Sequence, residues 1–191
     1  MEAAIPPVVF LGGHGSTAAA RAAVESSLRH ALPGVAVRSL GGPVALGDGA
    51  SAWWSDELEA DAWPALVALL DSAVGALGLA DTPIVVAGFS QGGAAALAWA
   101  SAPGRRQPLA AVVCVAGFLP GAVGAGAPVL APPVLVVIPE VDEVVDPFLG
   151  GVAARALAKA GFAVTPLEVE GGHEWTPLIS AAVAGWLAEP H

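Results

Sequence analysis

The chain has 191 residues, enough for one domain with a substantial core, and 55% of them are hydrophobic whereas only 13% are charged. Its formal net charge is −10 with seven Lys and Arg residues in total, so nucleic acid and anionic membranes are unsuitable partners. Cys114 is the single cysteine, which excludes an internal disulfide and, in its apolar segment, predicts an inert core thiol.

Two long stretches without charged residues, 82–104 and 107–139, need to be considered as membrane spans. The first contains polar residues and several glycines, and prolines divide the second into pieces too short to cross a bilayer. Both stretches therefore predict buried strands and helices rather than integral membrane segments. The first residues lack the basic region of a secretory signal, so a cytoplasmic location is expected.

Strands are predicted to alternate with helices along the whole chain. In order, the elements are a strand at 8–11, a glycine loop at 12–15, a helix at about 17–31, a strand at 35–40, a Gly- and Ser-rich loop at 41–55, a helix at 56–79, a strand at 84–88 followed by a helix, a strand at 109–115, a loop at 117–131, a strand at 134–138, an acidic loop at 139–147, a helix at about 148–160, a strand at 163–169, a glycine loop at 171–173 and a helix at about 176–188. This alternation predicts an α/β domain spanning 1–191, with a mostly parallel sheet of six or seven strands, helices on both faces and a minimal lid. Its active site belongs at the carboxyl ends of the strands.

A nucleophile elbow is predicted where the third strand meets the next helix. A β-branched run ends at Gly88, and 88–92 reads Gly-Phe-Ser-Gln-Gly, which fits the G-x-S-x-G pattern. In such a turn, side chains in place of the flanking glycines would collide with the strand and the helix. Ser90 is therefore the predicted nucleophile. The simpler alternative is a Ser-Gly turn that only connects strand to helix.

The other chemically active side chains lie in two later loops. His173 follows the sixth strand and is the histidine in a suitable position to take the proton of Ser90. The loop after the fifth strand supplies the acid that orients the imidazole, and it contains four carboxylates: Glu140, Asp142, Glu143 and Asp146. The chain order serine, acid, histidine is that of α/β-hydrolases.

Two backbone N–H groups are expected to stabilise the oxyanion that forms during ester cleavage. One belongs to Gln91, which follows the nucleophile at the start of a helix. The other belongs to the glycine loop after the first strand, where His14 is the expected donor. The ring of His14 either lines the pocket or faces water.

Five segments of the sequence together carry a family resemblance. They are Gly88-Phe89-Ser90-Gln91-Gly92-Gly93, Ala116-Gly117-Phe118-Leu119-Pro120, Ala52-Trp53-Trp54-Ser55, Asp142-Glu143-Val144-Val145 and Gly172-His173-Glu174. The sequence resembles the phospholipase/carboxylesterase family of α/β-hydrolases, which includes bacterial carboxylesterases and acyl-protein thioesterases. The resemblance implies an α/β-hydrolase fold and selects Asp142 among the four carboxylates. One departure is Gly12-Gly13 before His14, where the family usually has a His-Gly pair.

Apolar side chains from separate loops are expected to surround Ser90 and to favour an apolar acyl chain. The predicted substrate-binding residues are Trp53, Trp54, Phe118, Val144, Val145 and Trp175, and the alternative for each of them is packing beneath a loop. Trp63 and Trp99 are expected in the core. The net charge of −10 favours a neutral ester or thioester over a highly anionic substrate.

The sequence thus predicts a serine carboxylesterase or thioesterase that uses a Ser-His-Asp triad and an acyl-enzyme, without a metal or other cofactor. Its expected partner is a small-molecule ester or acyl substrate, and both a monomer and a homodimer are compatible with the sequence. Two alternatives use the same residues. One is a hydrolase-fold protein that binds an apolar ligand with little turnover, and the other is an acyltransferase.

Overall fold

The computed structural model describes residues 4–55, 63–120 and 131–190. In these residues the strands are β1 Val8–Leu11, β2 Ser16–Thr17, β3 Val37–Leu40, β4 Val44–Gly47, β5 Ala50–Ala52, β6 Ile84–Phe89, β7 Leu109–Val115, β8 Val134–Pro139 and β9 Val164–Val169, and the helices are α1 Ala18–Ala31, α2 Trp63–Ala76, α3 Gln91–Ser101, α4 Pro147–Lys159 and α5 Pro177–Ala188. Each of the six predicted strands and five predicted helices corresponds to one of these elements, and β2, β4 and β5 are additional short strands.

Six strands form one parallel sheet in the order β3-β1-β6-β7-β8-β9. The strands β1 and β8 are buried throughout, because helices cover both faces of the sheet. From β1 and β6 the chain winds outward in opposite directions, so a crevice opens between the carboxyl ends of these neighbouring strands. The register pairs Leu11 with Gly88, which brings the loops that follow β1 and β6 side by side.

Alternate residues of each strand contribute to two separate cores, one on each face of the sheet. In β1, Val9 and Leu11 pack in the core that includes α2, α3 and α4, whereas Val8 and Phe10 pack in the core that includes α1 and α5. This alternation is the two-residue period of a strand buried on both sides. The predicted α/β-hydrolase architecture, with helices on both faces of a parallel sheet, is confirmed.

Three helices begin at residues whose side chains cap them. Thr17 accepts a hydrogen bond from Ala20 N–H at the start of α1 at 3.2 Å. Asp146 caps α4, and Thr176 caps α5, with proline as the first residue of each of these helices. The predicted starts of these three helices lie within one residue of the observed starts.

The prediction of a loop over the whole of 41–55 is wrong, because this segment contains the strands β4 and β5, which form a small antiparallel sheet with β2 in the order β2-β5-β4. Asp48 and Gly49 form the turn between β4 and β5 with positive φ angles of 48° and 77°. Asp-Gly is a strong signal for such a hairpin. The flanking strands are short and lack a clear apolar alternation, so the pattern did not stand out as a hairpin.

Other predicted boundaries shift by a few residues. Strand β3 begins at Val37 instead of residue 35, and α2 ends at Ala76 instead of residue 79, where Gly78 has a φ of 75°. The beginning of the helix predicted at 56–79 and much of the loop predicted at 117–131 lie outside the described residues. Within the part of the chain that is described, no helix is both long and apolar enough to cross a bilayer.

Candidate active site

Ser90 lies in the sharp turn between β6 and α3. Its φ is 54° and its ψ is −121°, a conformation that is strained for a residue with a side chain. The backbone is held there by a hydrogen bond from Ser90 N–H to the Val115 carbonyl at 2.9 Å. Ala94 N–H donates to the Ser90 carbonyl at 3.0 Å on the other side. The serine is 8% exposed, at the carboxyl end of the central strand.

The glycines on either side of Ser90 are required by packing. A methyl group at Gly88 would collide with the carbonyl oxygen of Gly92, and one at Gly92 would collide with the carbonyl oxygen of Leu11. The start of α3 therefore lies directly against the ends of β6 and β1. The G-x-S-x-G pattern reflects this close approach of three backbone segments.

An acid and a histidine are hydrogen-bonded in the loops that follow β8 and β9. Asp142 Oδ2 lies 2.7 Å from His173 Nδ1, and the Asp142 side chain is only 1% exposed. The other carboxylate oxygen accepts hydrogen bonds from the N–H groups of Val144 and Val145 at 2.9 and 2.8 Å. The carboxylate is therefore held on both oxygens and aimed at the imidazole. Of the four acids in this loop, Asp142 is the buried one.

Backbone contacts tie the acid loop to the histidine loop. Glu140 N–H donates to the Val169 carbonyl at 2.9 Å, and Val141 N–H donates to the Gly171 carbonyl at 3.1 Å. Gly171 has a φ of 122°, a conformation that side chains disfavour. The two loops thus continue the pairing of β8 with β9 and deliver their side chains to the same point.

The imidazole of His173 lies beside the elbow. Its ring centroid is 4.8 Å from that of Phe89, the residue before Ser90, and its side chain is 17% exposed. Because Nδ1 is bound by Asp142, Nε2 is the ring nitrogen left to exchange a proton. Among the described contacts there is no hydrogen bond between Ser90 Oγ and this ring.

The glycine loop after β1 borders the serine from the other side. A methyl group placed on Gly13 would lie 3.2 Å from Ser90 Cβ, so the Gly13 backbone is in contact with the serine. The next residue, His14, has an exposed side chain, so its ring faces water. Gln91 is the first residue of α3, where the helix itself offers no acceptor for the N–H group.

The two adjacent tryptophans of the 52–55 segment are buried beside the elbow. Trp53 is 4% exposed and Trp54 is 9% exposed, and both belong to the core that contains α2 and α3. The side-chain amide of Gln91 accepts from Trp53 N–H and donates to the Trp54 carbonyl. The sequence pattern predicts a role only for the backbone N–H of Gln91, because nothing local indicates that its side chain reaches residues 53 and 54.

The remaining predicted substrate-binding residues lie in different environments. Val144 is 71% exposed on the acid loop, Val145 is partly buried, and Phe118 is partly buried against the α2 and α3 core. Trp175 packs edge-on against Phe10 at 5.1 Å, on the face of the sheet that carries α1 and α5. It therefore acts as a packing residue beneath the histidine loop in this structure.

Two other predictions concern buried residues. Trp99 is fully buried, as expected, and Trp63 packs against the same core. Cys114 is also fully buried, and desolvation raises the pKa of its thiol to about 12, with a smaller opposing effect of a hydrogen bond with the Gly117 backbone.

Across the described residues, no group of three His, Cys, Asp or Glu side chains is arranged to hold a metal ion.

Comparison with known proteins places these features in context. The family model described as Phospholipase/Carboxylesterase matches residues 3–177. A search of curated proteins gives no match. Among solved structures, a carboxylesterase from Mesorhizobium loti is similar with a TM-score of 0.79 and 20% identity, over 96% of this chain and 89% of the other. Acyl-protein thioesterase 2 from Zea mays has a TM-score of 0.72 and 26% identity, over 96% and 92%. Esterase PE8 has a TM-score of 0.73 and 24% identity, over 97% and 92%.

Proposed function

The chain belongs to the phospholipase/carboxylesterase family, and from that premise we propose that it is a serine hydrolase that cleaves carboxylic esters or thioesters through an acyl-enzyme. The observation that carries the proposal is the 2.7 Å hydrogen bond between Asp142 and His173, beside a serine in a strained elbow. Each of the three residues follows a different strand of the same parallel sheet, at the carboxyl edge where such sheets carry their active sites, which supports the proposal.

In the proposed reaction, Ser90 Oγ attacks the carbonyl carbon of the substrate while His173 Nε2 accepts the hydroxyl proton. The carbonyl electron pair moves onto oxygen, and the backbone N–H groups of Gln91 and His14 stabilise the resulting negative charge. The bond to the leaving group then breaks, and the imidazolium returns its proton to the departing alcohol or thiol. A water molecule then attacks the acyl-serine while His173 Nε2 accepts one of its protons. The bond between Ser90 Oγ and the acyl carbon breaks, the imidazolium returns the proton to Oγ, and the carboxylic acid is released.

Asp142 gives the imidazole the correct tautomer. Its Oδ2 accepts the Nδ1–H bond, so the lone pair of the ring is on Nε2, and the negative carboxylate stabilises the imidazolium that forms. The proposal requires a hydrogen bond between Ser90 and His173 Nε2 in the Michaelis complex, where catalytic contacts of this kind tighten.

The described residues near the triad favour an apolar, uncharged acyl group. Phe118 and Val145 present apolar surface, and Val144 is exposed on the loop that holds the acid. The net charge of −10 opposes the binding of polyanionic substrates. An uncharged ester or thioester with an alkyl acyl chain is the proposed substrate class.

Hydrolysis of p-nitrophenyl esters of graded chain length tests this proposal. Ser90→Ala is expected to lower kcat by about 10⁴-fold or more, because the nucleophile is lost. Ser26→Ala, which changes an exposed serine of α1, is the matched control and is expected to retain full activity. Wild-type hydrolysis by the Ser90→Ala protein would overturn the proposal.

A further inference from the structure

The side chain of Gln91 lies in the interior with both ends of its amide bonded to one short backbone segment. Oε1 accepts a hydrogen bond from Trp53 N–H at 2.9 Å, and Nε2 donates to the Trp54 carbonyl at 3.0 Å. The residue is 7% exposed, so these bonds are shielded from water. One accepted and one donated bond fix both the position and the direction of the 53–54 backbone.

Trp53 extends this connection to the glycine loop after β1. Its indole Nε1–H donates to the Gly12 carbonyl at 2.8 Å, again within the interior. The Gly12 carbonyl and the Gly13 N–H belong to one planar peptide unit, so a bond that holds the carbonyl also sets the orientation of that N–H. Gly13 itself lies against Ser90 Cβ.

A continuous set of hydrogen bonds therefore leads from Gln91 through Trp53 to the backbone on the opposite side of Ser90. Gln91 also carries one of the two proposed oxyanion donors on its own backbone, and the other, the His14 N–H, belongs to the peptide unit that directly follows the one held by Trp53. The exposed His14 side chain offers this loop little packing of its own. The indole bond thus supplies an anchor that glycines cannot provide.

We propose that the Gln91 side chain is a positioning element of the oxyanion site, which acts through Trp53 to hold the Gly12-Gly13 backbone, and with it the adjoining His14 N–H, at the correct distance from the Gln91 N–H. This inference rests on the proposed function, because it concerns the same reaction. Oxyanion donors act only within about 2.7–3.1 Å of the developing charge. A displacement of about 1 Å costs up to about 100-fold in rate.

Trp53→Phe tests the inference most directly, since it removes the N–H donor and keeps an aromatic ring, and the loss of ring volume that accompanies it is matched by the control variant. Gln91→Met keeps the side-chain length and removes both hydrogen bonds of the side-chain amide. For each variant, kcat and KM are measured with p-nitrophenyl butyrate, and the inhibition constant is measured for a trifluoromethyl ketone that forms an oxyanion on Ser90. The matched control is Trp99→Phe, which removes a 3.0 Å indole bond to Asp71 from a fully buried tryptophan in the same helix as Gln91.

The expected result is a kcat about 10- to 100-fold lower for Trp53→Phe and Gln91→Met, with KM changed by less than about threefold. Affinity for the ketone should fall in parallel with kcat/KM. Trp99→Phe should lower the Tm and leave kcat unchanged. These results would support a positioning role, because a partly unfolded preparation lowers the apparent kcat but leaves the affinity of the folded enzyme for the ketone unchanged.

A wild-type kcat in Trp53→Phe would overturn the inference, even if Gln91→Met fails to fold. An equal loss of kcat in Trp99→Phe would also overturn it, since the effect would then reflect general destabilisation. The Ser90→Ala variant separates the two levels of the argument. If that variant is inactive and Trp53→Phe is fully active, only the positioning role fails, whereas an active Ser90→Ala protein would overturn the proposed function as well.

Discussion

Replacing Asp142 by asparagine reverses one hydrogen bond of the proposed triad while keeping the size of the side chain. In the native loop, Oδ1 accepts from the N–H groups of Val144 and Val145, and Oδ2 accepts from His173. Asparagine has a single oxygen, and the two backbone donors retain it at the Oδ1 position. Its NH₂ group must then face His173 Nδ1 and donate to it.

This reversal places the imidazole proton on Nε2, where the ring can no longer accept a proton from Ser90. A wrong tautomer of this kind costs about 10⁴-fold in kcat. At about 1.4 kcal/mol per factor of ten, the loss of transition-state stabilisation is about 5 kcal/mol. The fold should survive, because two of the three hydrogen bonds to residue 142 are kept. Steady-state kinetics with a p-nitrophenyl ester and circular dichroism measure the two effects separately.

Asp146→Asn is the matched control, because Asp146 lies in the same loop, is exposed and caps α4. Asparagine caps helices about as well as aspartate, so stability and kcat should both remain near wild type. The reasoning would be refuted if Asp142→Asn kept kcat within tenfold of wild type, or if both variants lost activity equally.

Three further predictions concern stability. Gly92→Ala should lower the free energy of unfolding by about 2–3 kcal/mol, because the new methyl group would collide with the Leu11 carbonyl. Gly104 has open space around it, so Gly104→Ala, the control, should change the free energy of unfolding by less than about 0.5 kcal/mol; urea titrations measure both values. Gly185→Ala, at an unobstructed position in α5, should raise the free energy of unfolding by about 0.5–1 kcal/mol, and a lower Tm would contradict the helix assignment. Since burial raises the pKa of the Cys114 thiol from 9.0 to about 12, the unfolded thiol ionises first as the pH rises, and the native state should lose about 2 kcal/mol by about pH 10.5. Cys114→Ala should lack this loss, so identical pH dependence of unfolding in both proteins would contradict the burial argument.

The parallel sheet and the order of the site loops were predictable because their signals are local. Apolar β-branched runs mark buried strands, and the Gly88 to Gly92 pattern marks a turn that requires close backbone contact. Once strands alternate with helices, the loops at the carboxyl ends lie at one edge of the sheet, so the acid loop and His173 are expected in the same region. The family resemblance selects Asp142 among the four carboxylates of that loop, and its hydrogen bond to His173 is seen only in the structure.

Features that depend on long-range side-chain packing were not predictable in the same way. No local pattern shows that the Gln91 amide reaches the backbone of Trp53, because the two residues are 38 positions apart. The position of Trp175 after His173 predicts a place near the substrate. In the structure its ring packs against Phe10 and its indole N–H donates to Ser180 of α5. The β4–β5 hairpin was missed because its strands are too short to show a period.

The central claim is that Ser90 is an activated nucleophile, and covalent labelling tests it most directly. The purified protein is treated with an alkyl fluorophosphonate, its intact mass is measured, and the modified peptide is mapped. The account predicts one adduct per chain, on Ser90, formed with loss of fluoride, and a markedly slower reaction in Asp142→Asn. An unmodified wild-type protein, or equal labelling of Ser90→Ala, would contradict it.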